Sequence, residues 1–154
     1  MMSLCCDVLK ALEGKTLATA ESCTGGMIGQ LLTAVPGASG VYKGGVISYW
    51  SEIKQKLLGV DAALLNRCGP VSAPVAAAMA QGVRDSLDAD VAVSVTGLAG
   101  PDGDAFGRPV GTVFVGFADG ANQKVKEFHF SGDREAVRRQ AAEAALRLIL
   151  ENCN

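Results

Sequence analysis

Apolar and polar positions follow two periods along this chain, and the switches between them mark its elements. Leu4, Val8, Leu9 and Leu12 share one helical face, and Gly14 stops that helix. Thr16 to Ala20 is a run of small and β-tolerant residues. Ser22-Cys23-Thr24-Gly25-Gly26 breaks the run, after which Met27, Ile28, Leu31 and Leu32 recur at helical spacing. That pattern predicts a strand entering a helix through a tight turn. Two readings of the turn stand side by side. Ser22 or Thr24 caps the helix, or its unpaired N–H groups and dipole hold an anionic ligand.

Farther along, Pro36–Gly40 has the composition of a loop. Val41–Trp50 predicts a strand, with Gly44-Gly45 marking a bulge. Ser51 caps a helix over Glu52–Leu58 that Gly59 ends, and Asp61 opens a short helix through Leu65. Ser72, with Pro74 just inside, starts a long Ala-rich helix to about Leu87. Asp90–Thr96 is apolar enough for a central strand, and Gly97–Gly107 is too glycine-rich for regular structure. Gly111–Ala118 and Lys124–Phe130 predict a hairpin about Asp119-Gly120, and Ser131-Gly132-Asp133 caps a last helix to about Glu151. Strands alternating with helices and closed by one hairpin imply an α/β fold. The expected architecture is a three-layer α/β/α sandwich on a mixed, mostly parallel sheet with one antiparallel strand.

Composition narrows the class of function. At 154 residues the chain reads as a single domain over 1–154, and 49% apolar against 19% charged residues excludes disorder. A net charge of −2 without a basic stripe argues against nucleic acid as a partner. Neither a signal peptide nor a membrane-length apolar run is present, so no membrane partner is expected. The five cysteines are scattered without a C-x-x-C pair, which fits a reducing cytoplasm and no metal site. Cys23 lies in the key turn as a candidate thiol nucleophile, but no histidine stands near it in sequence.

Four loops are expected on one edge of the sheet: Glu21–Gly26, Gly37–Gly40, Gly97–Gly103 and Ser131–Arg134. They bring together hydroxyls, glycine N–H groups and the cations Arg108 and Arg134. The one histidine, His129, alternates with Phe128 and Phe130 in a strand and reads as packing or surface. A serine triad is therefore disfavoured, and a lysine is the remaining base for a hydroxyl nucleophile. Lys43 and Lys54 are the candidates. Lys54 falls one turn into its helix, either solvated or folded back over the strand end.

Taken together, AESCTGG (Ala20–Gly26), PGAS (Pro36–Ser39), Tyr49…Lys54 with LLGV (Leu57–Val60), GPVS (Gly69–Ser72), TGLAGPDG (Thr96–Gly103), PVGTV (Pro109–Val113) and SGDR-x-x-VR-x-x (Ser131–Gln140) resemble one family. It is the C-terminal domain of competence/damage-inducible protein CinA, found alone as nicotinamide mononucleotide deamidase. The resemblance runs from about Leu4 to Leu150, in the stand-alone form. It implies hydrolysis of the carboxamide of nicotinamide mononucleotide to nicotinate mononucleotide and ammonia, with no cofactor and no metal. The family's catalytic serine and lysine fall on Ser39 and Lys54, its T-G-x-A-G-P hydroxyl on Thr96 and its SGDR arginine on Arg134. The small-molecule substrate is expected to meet Ser22, Thr24, Gly25 and Gly26 on one side, and Tyr49, Gly97, Ala99 and Gly100 on the other. Its phosphate would rest at a helix start, either Thr24–Gly26 or Gly132–Arg134. A homo-oligomer, with a dimer favoured, is also implied.

One departure is Trp50, where the family commonly carries a small polar residue. It motivates an alternative function, a nucleotide-binding or sensing module of the same fold with little or no amidase activity.

Overall fold

The computed structural model describes residues 1–154. In chain order the elements are α1 (Met2–Ala11), β1 (Leu17–Glu21), α2 (Met27–Thr33), a single 3-10 turn (Ala38–Gly40), β2 (Tyr42–Ile47) and α3 (Ser51–Leu58). Then follow α4 (Ala62–Cys68), α5 (Ala73–Ser86), β3 (Val91–Gly97), β4 (Thr112–Ala118), β5 (Gln123–His129) and α6 (Arg134–Cys153). The five strands form one sheet in the order β2-β1-β3-β4-β5. β1 pairs parallel with both β2 and β3, whereas β4 runs antiparallel to β3 and to β5. The sheet is thus mostly parallel with one reversed strand, as the hairpin signal at Asp119-Gly120 predicts.

Helices cover both faces. On one face Val8 and Leu12 of the α1 segment, Ile28 and Leu32 of α2, and Val137, Ala141, Leu148 and Ile149 of α6 pack with Val93, Val95, Val113 and Val115. On the other, Val75, Met79 and Val83 of α5 pack with Leu58, Val60 and Leu65 over Ala18, Ala20 and Ala92. Small residues on β1 let this second layer approach closely. No helix is long and apolar enough to cross a membrane.

The anticipated bulge sits one residue early. Leu17 faces Tyr42 while Ala18 faces Gly44, so Lys43 is the extra residue and Gly44 takes a φ of 148°. Lys43 Nζ donates to the Asp88 carbonyl at 2.7 Å, which ties the bulge to the end of α5 and removes this lysine from the candidate bases. At Gly45 a side chain is excluded for a different reason. A Cβ there would collide with Thr19 Oγ1 and lie 2.9 Å from the Thr19 carbonyl oxygen.

Candidate active site

The carboxyl ends of β1 and β3 open into a cleft lined by Ser22, Cys23, Tyr49, Lys54, Thr96 and Arg134, with the Gly97–Gly100 wall beside them. Ser22 leaves β1 in a tight turn. Its N–H donates to the Val95 carbonyl of β3, and its own carbonyl accepts from Gly25 N–H, both at 3.0 Å. The residue is thereby pinned to the sheet on one side and to the turn on the other.

Glu21, the last residue of β1, is only 2% exposed. Its two carboxylate oxygens accept from the N–H groups of Ile28 (3.0 Å) and Gly29 (3.1 Å) at the start of α2. Two of the donors that a helix start leaves unpaired are satisfied by the chain's own anion. Neither Ser22 nor Thr24 caps the helix; Gly26 holds the cap position with a φ of 102°. Both readings of this turn are revised by Glu21.

Lys54 enters from α3. The first turn of that helix follows Tyr49 and Trp50, so the side chain folds back beneath the end of β2 and is 1% exposed. Its Nζ is 2.7 Å from the Ser48 carbonyl oxygen, 3.2 Å from that of Tyr49 and 2.9 Å from Ser22 Oγ. Burial drives its pKa down from the ordinary 10.5 to about 8, with the neighbouring Cys23 thiol opposing the shift. As an ammonium, Lys54 satisfies all three acceptors. As a neutral amine it keeps two hydrogens on the two carbonyls, and its lone pair then faces the Ser22 hydroxyl. That is the geometry of a general base acting on an alcohol.

The opposite wall comes from the end of β3. Thr96, 1% exposed, donates its hydroxyl hydrogen to the Pro70 carbonyl at 2.8 Å, leaving its lone pairs free to accept. Beyond it, the backbone N–H groups of Ala99 and Gly100 donate to no acceptor within the protein. Arg134 at the start of α6 closes the cleft, donating to the Gly100 carbonyl (2.6 Å) and to the Tyr49 phenolic oxygen (3.0 Å).

Of the residues expected at the site, Lys54, Thr96, Arg134, Ser22, Tyr49, Gly97, Ala99 and Gly100 meet around the cleft. Ser39 does not. It lies exposed in the 3-10 turn that precedes β2, whereas the carbonyls of Ser48 and Tyr49 that hold Lys54 follow β2. Six strand residues at ~3.3 Å each separate the two ends of β2 by about 20 Å. The loop Gly37–Gly40 therefore belongs to the amino edge of the sheet, and the hydroxyl on Lys54 is that of Ser22.

Thr24, Gly25 and Gly26 also fall outside the cleft lining. Thr24 is fully buried and its hydroxyl has no partner, while the helix donors beside it are taken by Glu21. At the other helix start considered for a phosphate, Asp133 Oδ1 accepts from Ala136 N–H at 2.9 Å. Both helix starts thus carry a carboxylate of the chain, and Arg134 is the permanent cation of the cleft lining, which it shares with Lys54.

Trp50 is 69% exposed and is not part of the cleft lining. Burial pushes the Cys23 thiol up to about 11, outweighing the cations Lys54 and Arg138, so it is held as a thiol. His129 is exposed on edge strand β5, 3.8 Å from Glu127. Arg108 lies 3.8 Å from Asp104 and over the Phe106 and Phe114 rings, away from the cleft. No group of three or more His, Cys, Asp or Glu residues is arranged to hold a metal ion.

Sequence reading missed Arg138, whose guanidinium donates to the carbonyls of Cys23 (3.0 Å) and Thr24 (3.1 Å) from the second turn of α6. The sequence places it in the SGDR-x-x-VR motif, four residues from Arg134 and so on the same helical face, without assigning it a role. Pro70 and Asp102 also line the cleft unforeseen.

Comparison with known proteins gives a consistent picture. A CinA-like protein of Geobacter sulfurreducens is 49% identical over 134 residues, which is 87% of this chain and 32% of that protein. One from Anaeromyxobacter is 48% identical over 139 residues, 90% of this chain and 34% of that protein. This chain thus spans about a third of the length of these curated relatives. Among solved structures, competence damage-inducible protein A of Klebsiella pneumoniae superposes with a TM-score of 0.96 at 35% identity, covering 98% of this chain and 95% of that one. The competence/damage inducible protein of Agrobacterium tumefaciens gives 0.94 at 32% identity, covering 97% and 93%. The model of the CinA C-terminal domain matches residues 2–153, and the chain belongs to that family.

Proposed function

We propose that this chain is a metal-independent amidase that hydrolyses the carboxamide of nicotinamide mononucleotide to nicotinate mononucleotide and ammonia. The observation that carries the reading is the 2.9 Å contact between Lys54 Nζ and Ser22 Oγ in a buried setting that brings the amine's pKa down to about 8. The choice of nicotinamide mononucleotide rests on the resemblance of the ordered motifs to the deamidase form of the family.

Neutral Lys54 takes the Ser22 hydroxyl proton as Oγ attacks the carboxamide carbon. The oxyanion that forms is met by the unpaired N–H groups of Ala99 and Gly100, a contribution of about 3 kcal/mol per well-aimed donor. Collapse of this intermediate breaks the C–N bond, and the lysine ammonium returns its proton to the leaving nitrogen, which departs as ammonia. Water, deprotonated by the same amine, then attacks the Ser22 ester; the C–Oγ bond breaks, the lysine ammonium returns the proton to Ser22 Oγ, and the carboxylate is released. Thr96, whose hydroxyl hydrogen is committed to Pro70, accepts from the amide N–H₂ and so orients it. Arg134 attracts the phosphate, with Tyr49 beside it.

Release of equimolar ammonia and nicotinate mononucleotide from nicotinamide mononucleotide, in the presence of a chelator, is the direct test. Tight binding of the nucleotide without ammonia would instead support a sensing module. A cytoplasmic location and a dimeric assembly belong to the same proposal, and gel filtration with light scattering tests the latter.

A further inference from the structure

Two arginines on one face of α6 grip opposite walls of the cleft. Arg134 holds the Gly100 carbonyl and Tyr49, as described above. Arg138 reaches the other wall without lining the cleft: its Nε and Nη2 donate to the carbonyls of Cys23 and Thr24, and its Nη1 lies 3.1 Å from Glu135 Oε2. These carbonyls belong to the two central residues of the turn that Ser22 opens and Gly25 closes. The Thr24 carbonyl also accepts from Met27 N–H at 3.1 Å as the chain enters α2, whereas the Cys23 carbonyl takes no other backbone N–H. Here one planar guanidinium takes both, in a fork that a lysine cannot reproduce. In a trans peptide the Thr24 N–H lies opposite the Cys23 carbonyl, so the same contact fixes the orientation of that peptide plane.

We infer that Arg138 is a positioning residue for the nucleophile: by holding the carbonyls of Cys23 and Thr24 it keeps Ser22 Oγ against Lys54. The inference rests on the reading of Ser22 as nucleophile and does not depend on which carbonyl compound is the substrate. Ser22 is otherwise held by its N–H bond to Val95, its carbonyl bond to Gly25 and the Lys54 contact, and on the far side of the turn the Met27 N–H bond to the Thr24 carbonyl (3.1 Å) stands beside the clamp. Loss of the clamp leaves the Cys23 carbonyl, next to Ser22, without its donor and that side held by the Met27 bond alone, and a displacement of about 1 Å at a reacting atom is enough to cost about 10²-fold in rate.

The test is the rate at which a fluorophosphonate probe labels Ser22, measured on folded protein below its unfolding transition. The probe reports on the hydroxyl and its base without needing the natural substrate. Arg138→Ala is expected to slow labelling by at least about tenfold, and Arg138→Lys, which supplies charge without the fork, to recover only part of the loss. Arg139→Ala, an exposed neighbour that also pairs with Glu135, is the control and should label at the wild-type rate. With the nucleotide as substrate, Arg138→Ala should lower kcat while KM stays within about threefold. Labelling of Arg138→Ala at the wild-type rate, or a loss wholly explained by unfolded protein, would overturn the inference. An inert wild-type Ser22 would instead bring down the nucleophile assignment beneath it.

Discussion

Lys54 Nζ and Ser22 Oγ lie 2.9 Å apart although 32 residues separate them in sequence. Two parallel strands make the meeting possible. β1 delivers Ser22 to the carboxyl edge of the sheet, β2 ends beside it, and the turn from β2 into α3 sends Lys54 back over both strand ends. The amine is held by the backbone carbonyls of Ser48 and Tyr49, so its placement depends on the course of the chain more than on neighbouring side chains.

On the proposed mechanism, the depressed pKa of Lys54 sets the pH dependence of turnover. The base works when neutral, so kcat/KM should rise with pH through a midpoint near 8 and level off above it. Measurement from about pH 6.5 to about 9.5 checks this. A rate that falls across the same range would remove Lys54 from the role of base.

Stability should follow the same group. In the unfolded chain the amine regains its ordinary 10.5, whereas in the folded chain burial holds it at about 8. Between those values the unfolded state binds more protons, so this group's contribution to stability rises with pH across the window and is flat below it. The difference between wild type and Lys54→Met in urea unfolding, taken at several pH values, isolates the effect. At neutral pH the Met variant should be the more stable, since it buries no charge.

Removing the Glu21 carboxylate should loosen the start of α2. Glu21→Ala leaves the N–H groups of Ile28 and Gly29 without their acceptors in a buried setting and is expected to cost about 3 kcal/mol. Glu21→Gln keeps one acceptor oxygen and should lose about half as much. Denaturant midpoints for the two variants provide the check, and equal losses would mean that the charge, not the pair of acceptors, matters.

Thr96 distinguishes a hydroxyl from its shape. Thr96→Val keeps the volume but removes both the bond to the Pro70 carbonyl and the acceptor in the cleft, so turnover should drop by about tenfold or more. Thr96→Ser should retain most of the activity. A valine variant as active as the serine variant would deny the hydroxyl a part in the reaction.

Much of the fold is legible in the sequence because its signals are local. The apolar spacing of Val8 and Leu12, the stops at Gly14 and Gly59, and the Asp119-Gly120 hairpin each report on a few adjacent residues, and together they specify the mixed sheet. The placement of Lys54 and of the wall Thr96–Gly100 in the cleft is also legible, through their motifs. Which serine hydroxyl meets Lys54 is not, for a topological reason. Ser39 and Ser22 both stand in small-residue loops next to strands, but one loop enters β2 and the other leaves β1. In a parallel sheet those are opposite edges. Glu21 was hidden for another reason: a charged residue at a strand end reads as solvent-facing, and only its partners at Ile28 and Gly29 account for its burial. Arg138 likewise acts on backbone carbonyls 114 and 115 residues away, which leave no trace in side-chain spacing.

The choice between the two serines is the most direct test of the account. Ammonia release from nicotinamide mononucleotide should be measured for wild type, Ser22→Ala and Ser39→Ala, with each variant's fold verified by circular dichroism. Ser22→Ala should lose activity by about 10³-fold or more, while Ser39→Ala should stay within about twofold of wild type. A Ser22→Ala variant that still turns over at the wild-type rate would contradict the Ser22–Lys54 mechanism outright.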